Sequence, residues 1–171
     1  MVIILMGVSG SGKTTIGNLL SKQTGIPFFD GDDFHPDVNV RKMAEGAPLT
    51  DRDRIAWIEQ VSGFINSAPY KHKILACSAL NKFIRGLIIK DIEEQCCFVF
   101  LKGSYDLIKD RMEKREDHYM KAGMLASQFN ALEEPGNALI VDIENSPDSV
   151  CDLIYNAISD EQLSMNNQKS G

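Results

Sequence analysis

Five apolar runs punctuate the chain, and between them the apolar residues recur three or four positions apart. VIILM (2–6), IPFFD (26–30), KILACSA (73–79), CCFVFL (96–101) and ALIVDI (138–143) are apolar along most of their length, which predicts strands buried on both faces. Helical spacing follows each of them. Ile16, Leu19 and Leu20 share one face; Trp57, Val61, Phe64 and Ile65 share another within residues 50–66, where Thr50 or Asp51 caps the start. Phe83, Ile84, Leu87 and Ile88 mark a short helix, and Leu107, Ile108 and Met112 a further one opened by Gly103 or Ser104. Val150, Leu153, Ile154, Ala157 and Ile158 mark the last, before the chain frays into the polar tail SMNNQKSG. Strands alternating with helices imply an α/β fold of three layers, a five-stranded parallel sheet with helices on both sides. No repeat or linker divides residues 1–171, so one domain is expected. Residues 31–49 and 114–136 fit no sheet-covering role and read as insertions that form a site or a lid.

Composition narrows the function. The net charge of −6 argues against a broad nucleic-acid-binding face. No run approaches the roughly 20 apolar residues that span a bilayer. MVIILM is too short for the apolar region of a signal peptide and lacks a basic lead-in, so a cytoplasmic location is expected. Cys77, Cys96, Cys97 and Cys151 form no C-x-x-C pair and are expected to be reduced thiols.

The loop after the first strand, GVSGSGKT (7–14), adds chemistry. Gly7, Gly12, Lys13 and Thr14 satisfy G-x-x-x-x-G-K-[ST] between a strand and a helix, the context a phosphate-binding loop requires. Glycines let the backbone curl so that N–H groups face phosphate oxygens, and the helix N-terminus adds partial positive charge. Gly7, Ser9, Gly10, Ser11, Gly12, Lys13, Thr14 and Thr15 are the candidate ATP-binding residues. Lys13 would reach the β/γ-phosphates and Thr14 would hold Mg²⁺. A GTPase's N-K-x-D motif is missing, its nearest approach being Asn81-Lys82-Phe83-Ile84. The P-loop NTPase fold and this length suit a small-molecule kinase. FDGDDFHP (29–36) then places Asp30, Asp32 and Asp33 at the carboxyl end of the second strand, where open α/β sheets bind ligands. Asp32 is the candidate group contacting an acceptor hydroxyl, and Asp30 the candidate aid to Mg²⁺ through water. Asp33 reads equally as turn chemistry.

Residues 35–57 resemble the gluconate kinases, matching that family's pattern at His35, Pro36, Asn39, Lys42, Met43, Gly46, Pro48, Leu49, Asp51, Asp53, Arg54 and Trp57. CSAL (77–80) with Arg85 is a second match. A third runs from Arg111 through Lys114, Arg115, Glu116, His118 and Tyr119 to Gln128, Phe129, Leu132, Glu133 and Pro135. The pattern is broken at Ala56, Asn81, Ile84 and Asp117, where the family has proline, lysine, tyrosine and glycine. The resemblance implies ATP-dependent phosphorylation of D-gluconate at its 6-hydroxyl and a homodimer. Gluconate is a carboxylate with a tail of hydroxyls, so Arg54, Lys42 and Arg85 are candidate cations for it. Ser78, Asn39 and His35 are candidate partners for its hydroxyls, with His118 beside them in the expected lid. Arg111, Lys114 and Arg115 share one helical face; Arg111 and Arg115 suit charge developing on the transferred phosphoryl group, and Lys114 reads as part of a salt-bridged surface helix with Asp110, Glu113, Glu116 and Asp117 interleaved. Trp57 reads as core. A kinase of another small acid such as shikimate, and a non-catalytic ATP sensor, remain as rival readings.

Overall fold

The computed structural model describes residues 1–47, 49–114 and 122–168, with 122–124 and 160–168 described by backbone alone. The strands are β1 (Val2–Met6), β2 (Phe28–Asp30), β3 (Lys73–Ala76), β4 (Cys96–Lys102) and β5 (Leu139–Asp142). The helices are α1 (Lys13–Thr24), α2 (Asp37–Ala44), α3 (Asp51–Ser67), α4 (Lys82–Asp91), α5 (Tyr105–Glu113), α6 (Ala122–Ala131) and α7 (Pro147–Gln168), with a 3-10 turn at Gly31–Phe34. All strand pairings are parallel and the order is β2-β3-β1-β4-β5, the expected five-stranded sheet. β1 lies at the centre, and the chain passes first to one side of it and then to the other. That reversal opens a crevice at the carboxyl ends of β1, β2 and β3.

Side-chain alternation along β1 builds the two outer layers. Ile3 and Leu5 pack with Val99 and Leu101 against Ile16 and Leu20 of α1 and Val150 and Ile154 of α7. Val2, Ile4 and Met6 pack with Phe98 and Phe100 against Trp57, Ile58 and Val61 of α3 and Ile84 and Ile88 of α4. Each such side chain, once buried, contributes about 1.5–3 kcal/mol of transfer free energy. The sheet therefore holds the crevice on a rigid floor. Thr50 and Asp53 form a reciprocal capping box that starts α3, while Asn81 caps α4 and Ser104 caps α5.

The elements depart from expectation at their ends and in one insertion. β3 stops at Ala76 rather than Ala79, because Ala79 turns into the left-handed region (φ 45°) and the chain leaves the sheet. Residues 31–49 contain α2, whose Val38, Val40 and Met43 are exposed, so no core-facing stripe betrays the helix. Residues 164–168 of the polar tail continue α7. Cys77 and Cys151 are buried thiols, and Cys96 and Cys97 are half-buried. Among the described residues no helix is long and apolar enough to cross a membrane.

Candidate active site

The phosphate loop leaves β1 at Met6 and enters α1 at Lys13, held at both ends by the backbone. Gly7 N–H donates to the Ser78 carbonyl (3.2 Å), and Ser11 N–H to the Val8 carbonyl (3.2 Å). Gly7 sits at φ +146°, and a Cβ there would come within 2.9 Å of the Leu101 carbonyl oxygen. Only glycine fits that approach. Gly10 and Gly12 also take positive φ, which curls the loop into α1 so that its first N–H groups face outward from the helix start. Lys13 lies half-buried across the loop and donates to the Gly7 and Val8 carbonyls at 3.0 and 3.1 Å. Burial draws its ammonium pKa down, against the opposing pull of Asp32, Cys77 and Asp30. Beneath it, burial pushes the Cys77 thiol up to about 12, so that sulfur is inert at neutral pH.

Thr14 Oγ1 donates to Asp30 Oδ2 at 2.8 Å, bringing the two expected metal-binding residues together. Among the described residues no cluster of three or more His, Cys, Asp or Glu could hold a metal by itself. Mg²⁺ keeps waters and takes phosphate oxygens, so a hydroxyl and one carboxylate suit it beside a nucleotide. The donor set fits the ion.

Asp30 also accepts from Asp32 N–H (3.2 Å), which caps the 3-10 turn and aims the next carboxylate. Gly31 begins that turn; a Cβ on it would stand 2.6 Å from the Ala76 carbonyl oxygen. Trp57 is buried, as expected of core, but it also holds this turn: its indole N–H donates to the Gly31 carbonyl at 2.7 Å. The same ring stacks on His35, with centroids 4.4 Å apart and planes at 20°. Asn39 Nδ2 approaches His35 Nδ1 at 3.5 Å, which makes Nδ1 the acceptor and leaves the proton on Nε2. Nε2 in turn lies 3.8 Å from Asp32 Oδ1. Asp32 stands in the crevice with its side chain open to water. Partial desolvation by the crevice walls raises its pKa, and the Asp30 carboxylate raises it further, while Lys13 and His35 oppose both. Burial lowers the His35 pKa against the pull of Asp32, so the imidazole is neutral near pH 7.

The other expected acceptor contacts divide. Asn39 is buried and donates to the Asp53 carbonyl (3.0 Å); its own Oδ1 has no partner. Lys42 donates to both Asp53 carboxylate oxygens, at 2.7 and 2.8 Å, and so clasps α2 to the start of α3. Arg54 pairs with Asp51 at 3.1 Å on the partly exposed first turn of α3. Arg85 is buried and donates to the Ala79 and Leu80 carbonyls, fixing the turn after β3. Ser78 is half-buried beside Gly7. Arg111 donates to the Ile143 carbonyl at 2.6 Å and borders a cavity of about 370 Å³ with Gly10, Gly12, Thr15, Asn145 and Pro147. That places it on the α1 side of the loop. Lys114 pairs with Asp110 on the surface, as the salt-bridged reading expects, and borders the same cavity as Arg111. Arg115 and His118 lie outside the described residues.

Two residues at the crevice were outside the expected site. Asp53 is the hub joining Lys42, Thr50 and Asn39. Gln128 of α6 reaches the phosphate loop, accepting from Ser9 N–H at 2.7 Å and donating to Ser9 Oγ at 3.1 Å. Both fall within the motif matches at 35–57 and 111–135, which was the available signal.

Known proteins resemble this arrangement over nearly all of its length. The family described as Shikimate kinase matches residues 9–135. The Thermoresistant gluconokinase of Escherichia coli (strain K12) is 38% identical over 155 residues, covering 87% of this chain and 88% of that protein. The Thermosensitive gluconokinase of the same organism is 42% identical over 134 residues, covering 77% and 71%. The crystal structure of a gluconokinase from Sinorhizobium meliloti 1021 superposes with a TM-score of 0.87 at 32% identity, covering 98% of this chain and 96% of that one.

Proposed function

We propose, because the chain belongs to the gluconokinase family among the shikimate-kinase-like P-loop kinases, that its crevice passes the γ-phosphoryl group of ATP to the 6-hydroxyl of D-gluconate. The observation that carries this reading is the meeting of Lys13, the Thr14–Asp30 pair and the Asp32–His35 pair at the carboxyl end of β1 and β2.

Loop N–H groups and the α1 N-terminus would hold the triphosphate. Lys13 is free to exchange its two loop carbonyls for phosphate oxygens, which are stronger acceptors. Thr14 and Asp30 would hold Mg²⁺, which when bound neutralises charge on the β- and γ-phosphates. Asp32 accepts the proton of the acceptor hydroxyl as the O–P bond forms, and the bond to the leaving ADP oxygen breaks on the far side. Its raised pKa brings it nearer the working pH, which improves proton acceptance at neutral pH. His35 Nε2–H faces Asp32 at 3.8 Å, beyond direct hydrogen-bond reach, and is a polar neighbour to the carboxylate. Arg54 on the first turn of α3 and Arg85 behind the β3 turn supply positive charge for the gluconate carboxylate, with Ser78 toward its hydroxyls; Asn39, buried against Asp53, acts by fixing α2 and α3 rather than by touching the substrate. Lys42 contributes indirectly, by fixing α2.

Residues 1–171 form one domain in this reading, with 31–49 as the acceptor-binding insertion and 114–136 as the lid that carries Arg115 and His118. A homodimer in the cytoplasm completes it. Light scattering on the purified chain checks the dimer. A coupled assay of ADP release across D-gluconate, other sugar acids, shikimate and nucleoside monophosphates checks the reaction. Release is expected with D-gluconate alone among them and is expected to collapse in Asp32→Asn; turnover equal with shikimate would reject the assignment.

A further inference from the structure

The reciprocal pair between Gln128 and Ser9 joins residues 119 positions apart and occupies a backbone donor of the loop expected to bind phosphate. We propose that Gln128 is a positioning residue that competes with the nucleotide's phosphates for Ser9, holding the loop closed on α6 until a phosphate displaces it. The inference rests on the loop binding a nucleotide, as in the proposed function.

The assignment of atoms is unambiguous. Ser9 N–H can only donate, so the amide atom 2.7 Å away is the oxygen, and the amide nitrogen must be the one facing Ser9 Oγ at 3.1 Å. The backbone N–H and the hydroxyl oxygen of Ser9 are thereby engaged by one side chain. Gln128 is also held from behind. Leu125, one turn earlier on α6, is buried in the core beside α1 and α7, and Phe129 packs edge-on against Tyr105 of α5 at 5.3 Å. Just past α6, Glu133 N–H donates to the Leu80 carbonyl at 2.8 Å. That packing presents the Gln128 amide to the loop.

A phosphate oxygen carries charge and accepts about twice as strongly as a neutral amide oxygen. Entering phosphate takes Ser9 N–H and releases Gln128 from the loop. Binding is correspondingly weaker than the loop alone would allow, because part of it is spent breaking two existing hydrogen bonds. Release of the loop also frees α6 from its contact with Ser9, so nucleotide occupancy and the placement of α6 are thermodynamically linked.

Gln128→Met keeps the side chain's length and removes both hydrogen bonds; Gln128→Ala is the second variant. Calorimetric titration with the non-hydrolysable analogue AMP-PNP reads the competition. Two lost bonds of ordinary net worth predict affinity raised about five- to a hundredfold in either variant. The free protein should melt earlier than wild type, and the difference should vanish at saturating AMP-PNP. A scaffold role for Gln128 predicts the opposite sign, so affinity equal to or weaker than wild type in a folded variant overturns the proposal. Failure of the wild-type chain to bind AMP-PNP would instead reject the nucleotide site itself.

Discussion

Replacing Trp57 by phenylalanine isolates what the indole does for the acceptor side of the crevice. The ring would still fill most of the space under His35, but the donor to the Gly31 carbonyl disappears. That carbonyl belongs to a buried residue, and leaving it unpaired costs about 1–3 kcal/mol. The smaller ring adds a residual void worth about 1 kcal/mol. Trp57→Phe should therefore lose about 2–4 kcal/mol in urea unfolding, followed by far-UV circular dichroism because the chain's single tryptophan has been removed. His35→Ala loses the stacking, its burial and the long Asn39 contact at 3.5 Å, but leaves the buried Gly31 carbonyl paired, so it should cost less. The turn that Trp57 pins also carries Asp32, and misplacing a reacting group by about 1 Å can cost 10²-fold in rate. The variant's kcat should accordingly fall at least about tenfold while its KM for ATP stays close to wild type. A variant that unfolds within about 0.5 kcal/mol of wild type and keeps its kcat would refute the idea that Trp57 holds the catalytic turn.

Three further outcomes follow from the same geometry. Asp32 must be ionised to accept a proton, and desolvation with the Asp30 carboxylate raises its pKa, so kcat should fall on an acid limb above the ordinary carboxylate value of about 3.9; in Asp30→Asn that limb should move to lower pH, and an upward move would contradict the assignment. Hydrogen bonds from Lys42 and then Thr50 hold the Asp53 pKa well below its usual range, so its contribution to stability is complete above that value of about 3.9 and disappears as pH falls through the lower native one. The melting-temperature gap between wild type and Asp53→Asn should thus be widest near neutral pH and shrink on acidification; a gap independent of pH would speak against the clasp. Gly31→Ala should destabilise by more than about 1 kcal/mol in the same urea assay, since its methyl meets the Ala76 carbonyl.

The sheet was legible in the sequence because its strands are buried on both faces and so read as uninterrupted apolar runs. α2 was not, since its apolar residues face solvent and its position depends on Lys42 reaching Asp53. The strand after residue 76 was overextended because apolar character does not reveal that Ala79 turns left-handed. At the site, Lys13, Thr14, Asp30 and Asp32 were legible from spacing, because each lies within a few residues of a strand's carboxyl end. The use of each cation was not. Lys42, Arg54, Arg85 and Arg111 all bind protein oxygens here; Arg54 and Arg85 pair within six residues of themselves, whereas the partners of Lys42 and Arg111 are set by tertiary packing. Gln128 illustrates the limit most clearly: its partner lies at the other end of the chain.

Phosphorus NMR of a reaction holding ATP, Mg²⁺ and D-gluconate tests the central claim most directly, by following the phosphate ester as it forms and matching it to ADP released. The account predicts one 6-phosphogluconate per ADP with the wild-type chain, and a rate about 10²–10⁴ lower with Asp32→Asn. ADP without a gluconate ester, or an Asp32→Asn variant as fast as wild type, would contradict it.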